Sequence, residues 1–166
     1  MKNIVLVGMP GAGKSTAGVI LAKTLGMGFV DTDLLIQKRA GKRLQEILDT
    51  GGPAAFLAAE EAAVLSLGCT GTVIATGGSV VLSEKAMVHL HRDGVIVYLE
   101  LSFGEMERRL ANIRTRGIVL FPGQTLRDMF DQRVPLYRRV ADRVIPASGK
   151  STEKVVQEIA ESLQAI

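Results

Sequence analysis

Short runs of aliphatic and β-branched residues recur along the chain at Lys2–Val7, Gly28–Asp31, Thr72–Ala75, Val95–Leu99 and Arg143–Pro146. Each is too short for a helix and rich in strand-forming residues, so each predicts a strand. Between them the pattern changes to helical spacing, predicting helices over Lys14–Leu25, Leu34–Ala40, Leu44–Thr50, Pro53–Leu67, Ser83–His91, Phe103–Asn112, Thr125–Val140 and Ser151–Gln164. Ser83, Ser102 and Ser151 suit N-caps, because a hydroxyl accepts an otherwise orphaned amide, and Pro53 suits a first helical position. Strands alternating with helices predict a three-layer α/β fold: a parallel sheet of about five strands sandwiched between helices, with its site at the carboxyl ends of the strands. No repeat or long linker divides the pattern, so residues 1–166 read as one domain.

Composition agrees. A 166-residue chain with 47% hydrophobic residues can bury both faces of such a sheet. With 4% aromatic residues, no Trp and a net charge of +3, nucleic acid is not an expected partner. No apolar run has the length of a membrane span, and the N-terminal run is too short for a signal peptide. The lone cysteine, Cys69, excludes an internal disulfide framework and suits a reducing compartment. A cytoplasmic monomer acting on a small molecule is expected.

The chemistry begins directly after the first strand. Gly8-Met9-Pro10-Gly11-Ala12-Gly13-Lys14-Ser15 fits G-x-x-x-x-G-K-[ST], with a strand before it and a helix after it. Glycines let the backbone curl so that amides of Gly11, Ala12, Gly13 and the residues that follow point at phosphate oxygens, and the helix adds its positive end. Lys14 can reach the β- and γ-phosphates, and the Ser15 hydroxyl can ligate Mg²⁺. The chain is expected to bind a nucleoside triphosphate, ATP, with Mg²⁺.

Three further features fall where the site should be. Asp31-Thr32-Asp33 ends the second strand; paired carboxylates there can hold Mg²⁺ through water and accept a proton from an attacking hydroxyl, or Asp31 can simply cap the next helix. Gly77-Gly78-Ser79 follows the third strand, allowing close backbone approach to a ligand or only a tight turn. The connection Ile113–Gly123 carries Arg114 and Arg116 and reads as a lid, about 113–124, or as a surface loop; its apolar Ile118 to Phe121 favour a segment that packs down. Nine of the twelve arginines lie between Arg108 and Arg143, a stretch without lysine. Arg is preferred where carboxylates or phosphates are gripped bidentately, so two or three of the nine are expected at the nucleotide and the others on the surface.

Taken together, the loop Gly8–Ser15 with Thr16, Asp31-Thr32-Asp33, Gly51 with Phe56 and Glu60, Gly77-Gly78 and Val134-Pro135-Leu136-Tyr137-Arg138-Arg139 resemble the shikimate kinase family, in its order and near its spacing. The resemblance implies the nucleoside-monophosphate-kinase P-loop fold, with an acceptor-binding helical region at about 33–62. It implies ATP-dependent phosphorylation of shikimate to shikimate 3-phosphate, a step of aromatic amino-acid biosynthesis. It further implies that Asp31 supports the metal, that Asp33 binds the acceptor hydroxyls and acts as base, and that Gly77 and Gly78 line the acceptor. Arg138 would grip the acceptor carboxylate, Arg114 would lie near the adenine, and the lid would supply a charge-neutralising arginine.

Three positions depart from that family's pattern. Leu57 stands where the family carries a second carboxylate-clamping Arg, Ser79 replaces a third glycine, and Ile118-Val119-Leu120 replaces the lid's Arg-Pro-Leu-Leu, leaving Arg116 as the nearest lid arginine. All concern the acceptor or the lid, so a P-loop kinase of another small hydroxy acid or polyol is the alternative reading. A non-catalytic nucleotide-binding protein is another. A GTPase is disfavoured, because neither Asn3 nor Asn112 begins an Asn-Lys-x-Asp motif.

Overall fold

The aliphatic runs become the strands of one parallel sheet: β1 (Asn3–Val7), β2 (Gly28–Asp31), β3 (Thr72–Ala75), β4 (Gly94–Glu100) and β5 (Arg143–Pro146). The strand order is β2-β3-β1-β4-β5. The computed structural model describes residues 1–111 and 117–164. β1 is central, with Val5 opposite Ile74 of β3 and Ile96 of β4, and all five of its residues are buried. Parallel strands covered by helices need apolar residues on both faces, which is why β1 reads as a continuous aliphatic run.

The helices are α1 (Lys14–Leu25), α2 (Thr32–Ala40), α3 (Leu44–Leu65), α4 (Glu84–Arg92), α5 (Phe103–Ala111), α6 (Leu126–Val140) and α7 (Thr152–Gln164). α1 packs on α7 and β3, while α4 and α6 pack on β4. The three serine caps are present: the Ser83, Ser102 and Ser151 hydroxyls accept from the amides of Ala86, Glu105 and Lys154. Among the described residues no helix is long and apolar enough to cross a membrane.

The helices predicted over 44–50 and 53–67 are both present as the two arms of α3, which meet at a break at Gly52, whose φ of 73° and ψ of −177° are not helical. Pro53, which cannot donate to the preceding turn, follows that break. A short 3₁₀ turn, Val80–Leu82, links β3 to α4.

The main core surrounds β1 and β4. A second, smaller cluster of Ile36, Ile47, Phe56, Ala63 and Val119 joins α2, α3 and the segment beginning at Gly117. That segment therefore packs down through Val119 instead of lying loose on the surface, and it roofs the space at the carboxyl end of the sheet.

Candidate active site

A cavity of about 460 Å³ opens where β1, β2 and β3 end. The phosphate loop forms one wall through Pro10, Gly13, Lys14, Ser15 and Thr16. Asp31 and Asp33 come from the β2–α2 junction, Phe56 and Glu60 from α3, and Thr76 to Ser79 from the turn after β3. Gln37, Arg43, Leu44, Gly117 to Val119 and Arg133 of α6 complete the lining.

Lys14 is only 7% exposed, and its Nζ donates to the carbonyls of Gly8 at 2.7 Å and Met9 at 2.8 Å. The ammonium is thus already folded back into its own loop, where phosphate oxygens would bind. Ala12 and Gly11 lie behind the lining surface. The Ala12 amide is spent on the Met9 carbonyl, and the Gly11 carbonyl accepts from Arg109 Nη1 at 2.8 Å, which ties α5 to the loop. Of the loop residues, Pro10 and Gly13 to Thr16 face the cavity.

Asp31 caps the next helix, and its second oxygen meets the phosphate loop. Its Oδ1 accepts from the amides of Asp33 and Leu34, capping α2, while its Oδ2 accepts from the Ser15 hydroxyl at 2.6 Å. A hydroxyl and a carboxylate so placed are two hard oxygen donors. Among the described residues no cluster of three or more His, Cys, Asp or Glu could by itself hold a metal. This donor set fits Mg²⁺, which keeps water and phosphate oxygens as its other ligands, and does not fit a protein-caged zinc.

Asp33 and Glu60 converge beneath Gly77. A Cβ added to Gly77 would lie 2.8 Å from Asp33 Oδ1 and 2.8 Å from Glu60 Oε2, so a side chain there would displace both carboxylates. Glu60 is 1% exposed. Its Oε1 accepts from the Ser79 hydroxyl at 2.7 Å, and its Oε2 is buried without a hydrogen-bond partner. Burial pushes the Glu60 carboxyl up to about 7; the Ser79 hydrogen bond and the charges of Arg133 and Lys14 oppose that shift, while Asp33 adds to it.

Two residues expected at the acceptor lie outside this cavity. Arg138 does not line the cavity: it is largely exposed, pairs with Glu100 at 3.0 Å, and borders a separate hollow with Tyr98 and Phe130. The buried stripe of α6 is Met129, Arg133 and Tyr137, one residue every fourth position, and Arg138 lies one position off it. Arg133 occupies the cavity wall, 1% exposed, with Nη2 donating to the Val119 carbonyl at 2.7 Å and a buried Nε lacking a partner. Among the described residues no carboxylate forms an ion pair with it. Leu57 does not line the cavity either; it packs against the Ile36, Ile47 and Phe56 cluster.

Gly77 and Gly78 line the cavity, and the Gly78 carbonyl accepts the Tyr137 hydroxyl. Arg114 and Arg116 lie outside the described residues. Besides Arg133, sequence reasoning missed Arg43, the exposed residue before α3. The i, i+4 stripe of α6 could have revealed Arg133; nothing local marks Arg43.

Comparison with known proteins agrees along the whole length. The shikimate kinase family model matches residues 10–164. A shikimate kinase of Pseudomonas paraeruginosa is 42% identical over 169 aligned residues, covering 100% of this chain and 98% of that protein. Another, from Caldanaerobacter subterraneus, is 38% identical, covering 96% of this chain and 94% of its own. Among solved structures, shikimate kinase from Acinetobacter baumannii in complex with shikimate superposes with a TM-score of 0.92 at 31% identity, covering 99% and 94% of the two chains. A gluconokinase from Sinorhizobium meliloti, at 16% identity and a TM-score of 0.56, shares the fold alone. The chain belongs to the shikimate kinase family.

Proposed function

We propose that this member of the shikimate kinase family transfers the γ-phosphoryl group of ATP to a hydroxyl of shikimate, giving shikimate 3-phosphate and ADP. The observation that carries the reading is Arg133: a buried guanidinium without a carboxylate partner, in the same cavity as the phosphate loop. Burying a charge unpaired is costly, so such a site favours a ligand that brings an anion, and a planar guanidinium matches a carboxylate. Shikimate carries one carboxylate and three hydroxyls.

The loop amides from Gly13 onward and the start of α1 hold the triphosphate, and Lys14 exchanges its two carbonyl partners for phosphate oxygens. Ser15 and Asp31 would hold Mg²⁺, which would supply neutralisation of charge on the phosphates. Arg133 fixes the acceptor by its carboxylate. Asp33 orients the acceptor hydroxyl and takes its proton as the oxygen attacks the γ-phosphorus. The new oxygen–phosphorus bond forms as the bond to the bridging oxygen of the β-phosphate breaks, and ADP leaves. The roof from Gly117 to Val119 helps to exclude water, which would otherwise compete as acceptor.

Leu57 favours a narrower second reading, in which the acceptor is another small hydroxy acid held by one buried arginine. ADP release measured with shikimate and with a panel of hydroxy acids and polyols separates the two. The proposal expects shikimate to be turned over with the highest kcat/KM. ATP binding without ADP release on any acceptor would instead make this a non-catalytic nucleotide-binding protein.

A further inference from the structure

Ser79 has no direct part in the chemistry above, yet its side chain is buried and committed. Its hydroxyl donates to Oε1 of Glu60, the buried carboxylate whose other oxygen lies in the cavity wall without a partner. The groups facing Glu60 come from four elements: Asp33 at the start of α2, Lys14 at the start of α1, and Arg133 and Tyr137 on α6, with Ser79 in the turn after β3. The neighbour of Glu60 on its own helix, Leu57, is apolar and supplies no charge. The charge on Glu60 is therefore felt most directly by Arg133 and Asp33.

We propose that Ser79 is a positioning residue of the acceptor site: by donating to Glu60 it favours the ionised carboxylate, and that charge draws on Arg133 and opposes an anionic acceptor. Removing the hydroxyl leaves burial unopposed at that oxygen, so Glu60 holds its proton to higher pH. A neutral Glu60 no longer adds a through-space negative charge beside Arg133, so the guanidinium meets the acceptor carboxylate without that competing field. Ser79→Ala thus tightens acceptor binding near and above neutral pH, the opposite of what damage to a binding site does. Ser79 also sets where, along the pH axis, acceptor affinity is lost. The affinity claim rests on the shikimate reading; the link between Ser79 and Glu60 does not.

Two measurements test it together. The first is a carbon-13 NMR titration of the Glu60 carboxyl in the full chain, assigned by its disappearance in Glu60→Gln. The wild-type midpoint is expected near 7, and Ser79→Ala is expected to raise it by about one pH unit, the scale of one hydrogen bond to a charge. The second is shikimate KM from pH 6 to 9 (an assay range of about three units). Wild-type KM should rise as Glu60 ionises, Ser79→Ala should delay that rise and lower KM about 3- to 10-fold at the alkaline side, and Glu60→Gln should flatten it, with ATP KM moving less. An unmoved midpoint in Ser79→Ala, or a KM profile in Glu60→Gln that still rises as in wild type, overturns the proposal. Wild type that turns over no shikimate overturns the functional reading instead, and the NMR titration still decides whether Ser79 controls Glu60.

Discussion

Glu60 carries its charge at a cost that depends on pH. Burial lifts its folded-state value from 4.5 to about 7, so between those values the folded protein keeps a proton that the unfolded chain has released. Stability from this group therefore falls as pH rises from about 4.5 to about 7 and is level above that. Glu60→Gln removes the slope while keeping an oxygen for the Ser79 hydroxyl. It should gain roughly 3 kcal/mol of unfolding free energy at pH 8 relative to its effect at pH 4, read by urea denaturation at the two values. Equal effects at both would mean that Glu60 titrates normally. Lys14 and Asp33 line the cavity, and the proposed function has them act on the reaction and not on the core. Lys14→Ala should lower kcat by about 10²–10³-fold, because its ammonium meets developing phosphate charge, with an unchanged circular dichroism spectrum. Asp33→Asn should lower kcat far more than it raises ATP KM, since its place is the acceptor side of the cavity. If lost Mg²⁺–ATP binding dominates, Asp33 is a metal residue.

Helices α3 and α6 decide which side chains enter the cavity. On α6 the motif around Tyr137 is plain in the sequence, but its arginines differ only in phase: Arg133 shares the face of Met129 and Tyr137, and Arg138 does not. Counting Arg-rich segments found the helix; following its i, i+4 stripe finds the residue. Asp31 was ambiguous for a different reason, since one carboxylate has two oxygens and serves two partners. On α3 the Gly51-Gly52-Pro53 sequence signalled an interruption, and the structure keeps helix on both sides of it. Phe56 and Glu60 follow that break, so its geometry aims them. Gly52→Ala forces a side chain into a conformation that glycine tolerates and alanine does not, and should destabilise the fold by about 1–3 kcal/mol. Denaturant unfolding checks this: a variant as stable as wild type would show that the break relaxes freely.

At the scale of the whole molecule, the sheet was legible because parallel strands buried on both faces leave continuous aliphatic runs, and the phosphate loop because its spacing is dictated by phosphate geometry. The acceptor side was less so. Arg133, Glu60, Ser79 and Val119 are distant in sequence and meet only because α3, α6, the turn after β3 and the roof close on one another. No local pattern records such a meeting. Leu57 illustrates the risk: its position was assigned to the cavity by resemblance, and here it belongs to the small apolar cluster.

The central claim is that one cavity holds phosphate at the loop and an acceptor carboxylate at Arg133. Steady-state shikimate KM for Arg133→Lys beside Arg138→Ala tests it most directly. Lysine keeps the charge of Arg133 but loses the planar fork, so shikimate KM should rise about 10- to 100-fold with ATP KM little changed. Arg138→Ala loses an exposed pair with Glu100 and should stay within about twofold of wild type. The reverse pattern, with Arg138→Ala impaired and Arg133→Lys unaffected, would contradict the account.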